Sequence, residues 1–157
     1  MYYVYILTNQ KIEQILSIED KLNIMEKIGI DNIVLLDFEK IASMKANDYL
    51  EKILINYFSP IAITTGFNHH FGFNKEGDSD FLRKNKTKYN YKYFEVPPFV
   101  VQDKIVSCSV IRNLLQLGDF PNANKLLGYK FFIDGRVIKG EQLARKLGYP
   151  SANIIYP

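Results

Sequence analysis

Continuous apolar runs alternate with amphipathic segments over the first part of the chain. Three runs, Tyr2–Leu7, 32–38 and 61–65, are rich in aromatic and β-branched residues, as is typical of strands buried on both faces. Between them, apolar residues recur at helical spacing over 18–28 and over 49–57. This alternation predicts an α/β domain of Rossmann-like type, with three layers and a mainly parallel sheet.

The pattern is less regular outside these runs. At the front of the first helix, Ser17 and the acidic residues that follow it resemble a capping box. The later predicted elements, in chain order, are a charged helix near 80–88, a strand near 93–96, a last helix over 107–117, a strand-like run over 129–138 and a strand start at 154–156.

Composition is that of a soluble globular protein. The 157 residues are 47% hydrophobic and 24% charged, which provides apolar material for one core and is unlike a disordered chain. The net charge of +3 is mild and the basic residues are dispersed, so nucleic acid is not expected as a partner. The single cysteine, Cys108, rules out an internal disulfide and suits the reducing cytoplasm. No apolar stretch is long enough to span a bilayer, and no membrane partner is expected.

The last part of the chain carries a motif suited to a nucleotide polyphosphate. Gly140 and Gly148 allow sharp turns or close approach of the backbone to a ligand, and Arg145 supplies positive charge beside them. Ser151 and Asn153, in the corner that Pro150 begins, offer short oxygen ligands that suit a hard cation such as Mg2+. An ordinary hairpin followed by a turn is the alternative interpretation.

A second motif follows the third apolar run directly, over 66–72 (Gly-Phe-Asn-His-His-Phe-Gly). Ligands of open α/β sheets bind beyond the carboxyl ends of the strands, so this position favours a binding loop. Asn68 can donate and accept hydrogen bonds, while Phe67 and Phe71 are suited to flank a flat aromatic ring. The alternative is a loop whose Phe side chains fill the core and whose His69 and His70 face solvent.

A third motif lies at the start of the helix over 107–117. Ser107 and Ser109 stand at its front and Arg112 lies one turn further along. Free N–H groups, the positive end of the helix dipole and a guanidinium together favour a phosphate group. Taken alone, the same pattern also describes an ordinary capped helix.

The terminal motif resembles the start of the riboflavin kinase module, whose signature reads roughly G-x-V-x-x-G-x-x-x-G-R-x-L-G-F-P-T-A-N. Order and spacing agree over 135–153, with Ala144 in place of a glycine and Ser151 in place of the threonine. The serine keeps the hydroxyl ligand, whereas Ala144 adds a methyl group where the backbone approaches phosphate. In bacteria this module usually follows an FMN adenylyltransferase domain, and the two together form the bifunctional riboflavin kinase/FAD synthetase.

The other two motifs are similar to patterns of that adenylyltransferase domain. Residues 66–72 resemble G-x-[DN]-F-x-F-G, with His69 in place of its first aromatic residue. Residues 106–112 resemble I-S-S-T-x-I-R, which holds the ATP phosphates, with Cys108 and Ser109 in place of its second serine and its threonine. The thiol of Cys108 is a weaker hydrogen-bond donor than the serine that it replaces.

The resemblance implies a Rossmann-like nucleotidyltransferase domain over 1–126 and the opening strands of a flavokinase β-barrel over 127–157. It implies transfer of AMP from ATP to FMN in the first domain and phosphorylation of riboflavin in the second, with Mg2+. The implied ATP- and FMN-binding residues are Gly66, Asn68, Phe71, Gly72, Ser107, Ser109 and Arg112. The implied nucleotide and metal residues of the kinase part are Gly140, Arg145, Gly148, Pro150, Ser151 and Asn153, with Ser151 and Asn153 as the Mg2+ ligands.

The family's His-x-Gly-His signature, whose imidazoles stabilise the phosphorus during adenylyl transfer, does not occur in this sequence. The two histidines, His69 and His70, are adjacent. Tyr2–Leu7 resembles the family's second strand, so we expect the first strand to be missing, no catalytic residue to be identifiable and the family's activity to be impaired. The alternatives are a non-catalytic flavin- or nucleotide-binding remnant, one half of a split protein, and a nucleotide binder unrelated to flavins. Association is expected either through an exposed sheet edge or with a missing complementary segment.

Overall fold

A computed structural model describes residues 2–7, 14–140, 148–149 and 152–155 of the chain. The described residues form two compact units. The first contains residues 2–7 and 32–106, and the second contains residues 14–31 and those from 107 onward.

The strands of the first unit form two separate parallel pairs. Strand β1 (Tyr2–Leu7) pairs in parallel with β2 (Asn32–Asp37), and β3 (Ala62–Gly66) pairs in parallel with β4 (Lys92–Val96). The α/β character is therefore confirmed, and the parallel direction is observed within each pair. The single sheet predicted from the apolar runs is not observed: among the described residues, no hydrogen-bonded ladder joins one pair to the other. A short antiparallel hairpin, β5 (Val100–Val101) with β6 (Lys104–Ile105), completes the strands of this unit.

The helices predicted over 18–28 and 49–57 are present, and the second of them has a feature that the periodicity did not predict. The helical run after β2 is α-helical at its ends and a π-helix over Tyr49–Ile55, where the wider turn places Tyr49 and Leu50 side by side in the core. Ser59 ends this run in the left-handed conformation. The helices are α1 (Ile18–Lys27), α2 (Phe38–Ile41), α3 (Ala46–Asp48), the π-helix (Tyr49–Ile55), α4 (Asn56–Phe58), α5 (Ser79–Asn85), α6 (Cys108–Gln116) and α7 (Phe120–Leu127), with a 3-10 turn at Phe73–Lys75.

The core of the first unit is built around the π-helix. Leu50 and Leu82 are its fully buried large side chains. Tyr91 is also buried, and its hydroxyl donates a hydrogen bond to the Leu82 carbonyl oxygen at 2.6 Å. Apolar side chains from three strands, Leu36, Ile63 and Tyr93, pack against this same cluster. The buried members of the cluster are Ala46, Tyr49, Leu50, Phe71, Leu82 and Tyr91.

In the second unit, the capping box predicted for α1 is confirmed. The Asp20 N–H donates to Ser17 Oγ at 3.1 Å, and the same hydroxyl donates to the Asp20 carboxylate at 2.7 Å. The two residues therefore hold each other at the first turn of the helix, and Asp20 is buried.

The segment after α6 differs from its prediction. Helix α7 is unpredicted: Asp119 caps it, a proline stands in its first turn, and Gly128 ends it with a φ of 79°. The run over 129–138 is a strand only over Arg136–Ile138. Its front part lies along α7, because the Phe131 N–H donates to Asn124 Oδ1 at 2.6 Å and the Phe131 ring stacks on Phe120. Strand β7 (Arg136–Ile138) then pairs antiparallel with β8 (Asn153–Ile155).

Candidate functional site

Phe71 anchors the loop over 66–72 in the core of the first unit. Its ring is buried and lies 5.5 Å from the Tyr49 ring and 5.8 Å from the Phe81 ring, centre to centre. Its backbone exchanges two hydrogen bonds of 2.9 Å with Gly77. Phe71 is therefore a core residue that positions the loop, and its predicted part in ligand binding stays a prediction.

Gly72 is held against the start of α3. Its φ of 75° and ψ of 167° lie in a region that essentially only glycine occupies. A Cβ at this position would lie 2.7 Å from both the Cα and the N of Ala46, closer than real Cβ contacts. The bare backbone of Gly72 therefore allows its close contact with the first residue of α3. The predicted approach of Gly72 to a ligand stays a prediction.

The exposed side chains of the loop are those of residues 67–70. Asn68 is exposed, and Phe67 keeps 43% of its surface exposed. The His69 N–H donates to the Gly66 carbonyl at 3.1 Å, which closes the turn. The His69 ring stacks on Phe71, with ring centres 5.8 Å apart. Burial lowers the pKa of His69, and the charge of His70 lowers it further.

A polar cluster beside this loop was not predicted from the sequence. At the carboxyl end of β3, the Thr65 and Tyr93 hydroxyls are hydrogen-bonded at 2.7 Å. On the neighbouring strand, Glu95 accepts a hydrogen bond of 2.8 Å from Arg83, whose guanidinium lies 5.7 Å from the centre of the Tyr93 ring. Thr65 pairs with Glu95 in the ladder, one residue before the end of each strand, whereas Tyr93 lies two residues earlier on β4 and Arg83 lies on α5. The sequence signal for Thr65 and Glu95 is their position near the carboxyl ends of their strands.

The start of α6 has the features expected of an anion site. Ser107 is the N-cap, and its Oγ accepts from the Val110 N–H at 3.4 Å. Ser109 is exposed, and the first turn contains no acidic residue. One turn along, Arg112 has a buried Nε with no hydrogen-bond partner in the structure. Ile111 is buried and anchors the helix.

The kinase-like motif is described in part. Gly140 and Asn153 are brought together, because a Cβ on Gly140 would fall on the amide group of Asn153. Asn153 stands opposite Ile138 in the β7–β8 ladder. Gly148 has a φ of 83° and an open Cβ position. The remaining predicted residues, Arg145, Pro150 and Ser151, lie outside the described residues.

Each motif is thus assembled locally. Gly66, Asn68, Phe71 and Gly72 share one loop of the first unit, whereas Ser107, Ser109 and Arg112 share one helix of the second. The predicted cluster of Asn68 with Arg112 in one phosphate pocket stays a prediction. In the part of the chain that the structure describes, no helix has the length and apolar character to cross a membrane. Over the same residues, no group of three or more His, Cys, Asp or Glu side chains is arranged to hold a metal ion.

Two family models match the sequence. The model of FAD synthetase matches residues 4–110, and the model of riboflavin kinase matches residues 127–157. Because the first match covers more than half of the chain, the chain belongs to the FAD synthetase family. The family recognised from the three motifs is confirmed, and it is one of flavin biosynthesis.

The curated relatives combine both parts under one name, bifunctional riboflavin kinase/FMN adenylyltransferase. The protein of Buchnera aphidicola subsp. Schizaphis graminum is 34% identical over 144 residues, which cover 90% of this chain and 46% of the relative. That of Pseudomonas fluorescens is 33% identical over 127 residues, which cover 80% of this chain and 41% of the relative. This chain spans about half the length of the curated relatives that it matches.

A solved structure, that of a macrolide-efflux protein from Streptococcus pneumoniae, has a similar fold. It matches with a TM-score of 0.79 and 26% identity. The match covers 98% of this chain and 53% of that chain. The words macrolide efflux describe the other protein, and what the two chains share is their fold.

Proposed function

We propose that this chain is a nucleotide- and flavin-binding part of a riboflavin kinase/FAD synthetase. In the proposal, residues 1–126 form a Rossmann-like FMN adenylyltransferase domain that binds ATP and FMN. Residues 127–157 form the opening strands of a riboflavin kinase barrel. The matches to the two family models, over 4–110 and 127–157, support this division.

The observation that carries the proposal is the unpartnered Arg112 Nε at the start of α6. A buried donor without an acceptor costs about 1–3 kcal/mol, and a bound phosphate oxygen would remove that cost. The free N–H groups of the first turn and the Ser109 hydroxyl add donors beside it. Arg112, Ser107 and Ser109 are therefore assigned to the ATP phosphates.

In the proposal, the loop over 66–72 binds the flat aromatic ring system of a ligand. Phe67 offers a half-exposed ring for stacking, and Asn68 offers both a donor and an acceptor. Gly66 leaves the space beside Asn68 open, since a Cβ there would meet only the Asn68 Oδ1, at 3.9 Å. Phe71 and Gly72 contribute indirectly, because they fix the loop to the core.

In the proposal, the kinase-like segment binds the nucleotide that is used to phosphorylate riboflavin. Asn153 carries an amide oxygen of the kind that Mg2+ accepts, and its contact with Gly140 fixes its position. Ser151 would supply the second oxygen, with Arg145 beside it. Mg2+ bound there would neutralise phosphate charge, and the role of these residues is to hold and orient it.

We propose that the 157-residue chain binds its ligands but does not catalyse the family's reactions. The sequence contains no His-x-Gly-His, and loss of one stabilising donor in comparable enzymes costs about 100- to 1000-fold in rate. We expect neither FAD synthesis from FMN and ATP nor phosphorylation of riboflavin by the purified chain. Formation of FAD at about 1 per second or faster, the range of ordinary enzymes, would contradict this.

The binding proposal is tested by titrating ATP into the chain by calorimetry, with and without Mg2+. Arg112→Ala is expected to weaken ATP binding about 10- to 100-fold, the cost of one charged hydrogen-bond partner. Lys125→Ala is the matched control, because it removes one positive charge from the neighbouring helix α7. Equal weakening by the two variants would show that only net charge matters. Unchanged ATP binding by Arg112→Ala would refute the assignment.

A further inference from the structure

The segment that joins α5 to β4 concentrates positive charge. Lysines stand at 84, 86, 88 and 92, all four are exposed, and no acidic residue occurs from 81 to 94. Lys88 donates a hydrogen bond of 2.7 Å to the Tyr89 hydroxyl. The other three lysines form no ion pair with a described residue. This segment therefore has a local positive field that the mild net charge of +3 does not indicate.

A cavity of about 500 Å³ opens beside these lysines. Lys92 and Phe94 lie two residues apart on β4 and point to the same face of the strand, whereas Tyr93 between them packs against the core. The Phe94 ring keeps 53% of its surface exposed. The cavity therefore combines positive charge, short polar groups and one accessible aromatic ring. Its lining includes Lys86, Thr87, Asn90, Lys92 and Phe94.

The cavity begins at the end of β4 that lies away from the candidate loop over 66–72. In the β3–β4 ladder, Lys92 pairs with Ala62, the first residue of β3, whereas the loop begins at Gly66, the last residue of that strand. All the residues that line the cavity belong to the first unit. Its occupancy is therefore independent of the proposed nucleotide and flavin binding.

We infer that this cavity binds a single-stranded nucleic acid. Lys86 and Lys92 neutralise backbone phosphates, and an unpaired base stacks on the exposed Phe94 ring, which tolerates any base because every base has a π face. Thr87 and Asn90 supply hydrogen-bond partners for sugar and base. An acidic peptide or an anionic lipid surface uses the lysines but not the ring. A duplex keeps its bases stacked inside and does not use the ring either.

The test titrates the full chain into a fluorescein-labelled uridine RNA of about ten nucleotides, in about 50 mM salt, and follows fluorescence anisotropy. A thymidine DNA of the same length is the second probe. ATP, FMN and Mg2+ are left out, so that the result is separate from the proposed function. Saturable binding of at least one of these strands is expected, with an affinity that falls as salt is raised.

Two variants separate the lysines from the ring. The double variant Lys86→Gln with Lys92→Gln is expected to reduce the slope of log affinity against log salt by about 1.4, since each phosphate contact on a single strand contributes about 0.7. The matched control, Lys45→Gln with Lys75→Gln, removes the same charge from exposed positions of the same unit outside the cavity, and its slope is expected to stay unchanged.

Phe94→Leu keeps an apolar side chain but removes the aromatic ring. It is expected to weaken binding about 5- to 150-fold, the range for one lost base stack, without a change in the salt slope. Circular dichroism shows whether each variant is folded.

Several results would overturn the inference. One is the absence of saturable binding to both strands. Others are an equal change of slope in the control pair, or unchanged binding in Phe94→Leu, because either would leave only net charge. Competition by free uridine monophosphate as strong as that by the oligonucleotide would mean a mononucleotide site. Equally tight binding of duplex RNA, polyglutamate or phosphatidylserine vesicles would mean a general anion surface. The competition arms use the unmodified chain, so they decide the question even where a variant fails to fold.

Discussion

Replacing Gly72 with alanine tests whether the glycine of the loop serves packing or ligand binding. The left-handed extended backbone at this position costs a non-glycine residue about 1–3 kcal/mol. The new Cβ would lie 2.7 Å from the Ala46 backbone, and forced overpacking of this kind costs about another 1–3 kcal/mol. We therefore expect Gly72→Ala to lower the free energy of unfolding by about 4 kcal/mol, a large part of the total for most domains.

The assay is urea unfolding followed by circular dichroism, with Gly118→Ala as the control. Gly118 has the same φ of 75°, but a Cβ there would meet nothing within 4 Å. Its substitution gives the cost of a positive φ where the Cβ has free space, and it is expected to lower the unfolding free energy by about 1 kcal/mol. The difference between the two variants contains the collision with Ala46 and the additional backbone cost of the ψ of 167° at Gly72.

The packing explanation fails if Gly72→Ala destabilises the chain no more than Gly118→Ala does. Full stability combined with weaker FMN binding would show instead that the glycine keeps space for the ligand. If Gly72→Ala lowers stability but the folded fraction binds FMN unchanged, the glycine of the family motif is needed for packing and not for ligand binding.

Three further substitutions test the core and the loop. Tyr91→Phe should cost about 1 kcal/mol, the hydrogen bond to the Leu82 carbonyl. Because burial raises the pKa of Tyr91 to about 12, stability should fall from about pH 10 towards pH 12 as tyrosine ionises in the unfolded chain, and the variant should reduce that slope in urea melts across this range. His70→Gln should raise the pKa of His69 in an NMR titration without restoring its ordinary value, because burial is the larger cause. Leu50→Ala should cost about 3 kcal/mol in urea unfolding, because it opens a cavity in the core.

Each of these predictions has a contradicting result. An unaltered slope of stability above pH 10 in Tyr91→Phe would mean that other tyrosines cause it. A fully ordinary pKa for His69 after removal of His70 would reverse the order of the two causes. A cost for Leu50→Ala no larger than that of Leu117→Ala, whose side chain is 74% exposed, would contradict the position of the core.

The local elements were predictable from the sequence because they depend on neighbouring residues. β1 and β2 occupy their apolar runs, and Ser17 caps α1 as the local pattern indicates. Helix α7 was not predicted, since Pro121 is a residue type that usually marks a break, whereas in the first turn of a helix proline costs no hydrogen bond. The strand predicted from 129 begins only at Arg136, because Phe131 has a better partner in the preceding helix.

The candidate site was predictable as a set of motifs but not as a geometry. The loop after β3 and the start of α6 occur where the motifs placed them. The roles of Phe71 and Gly72 depend on Tyr49 and Ala46, which are more than twenty residues away in the chain. Contacts between residues so far apart in the chain produce no periodic pattern in the sequence. A glycine that packs against a helix therefore cannot be distinguished by sequence from one that contacts a ligand.

The parallel pairing of the first unit determines the order in which this chain can fold. Tyr2 meets Asn32 and Ala62 meets Lys92, so each ladder must first close a long loop that includes its crossover segment. The β5–β6 hairpin and the helices need only neighbouring residues and can form within microseconds. The parallel ladders come later, because the entropy of loop closure is lost before any ladder bond is gained. During synthesis, β1 and β3 therefore remain unpaired until the chain has extended past β2 and β4, respectively.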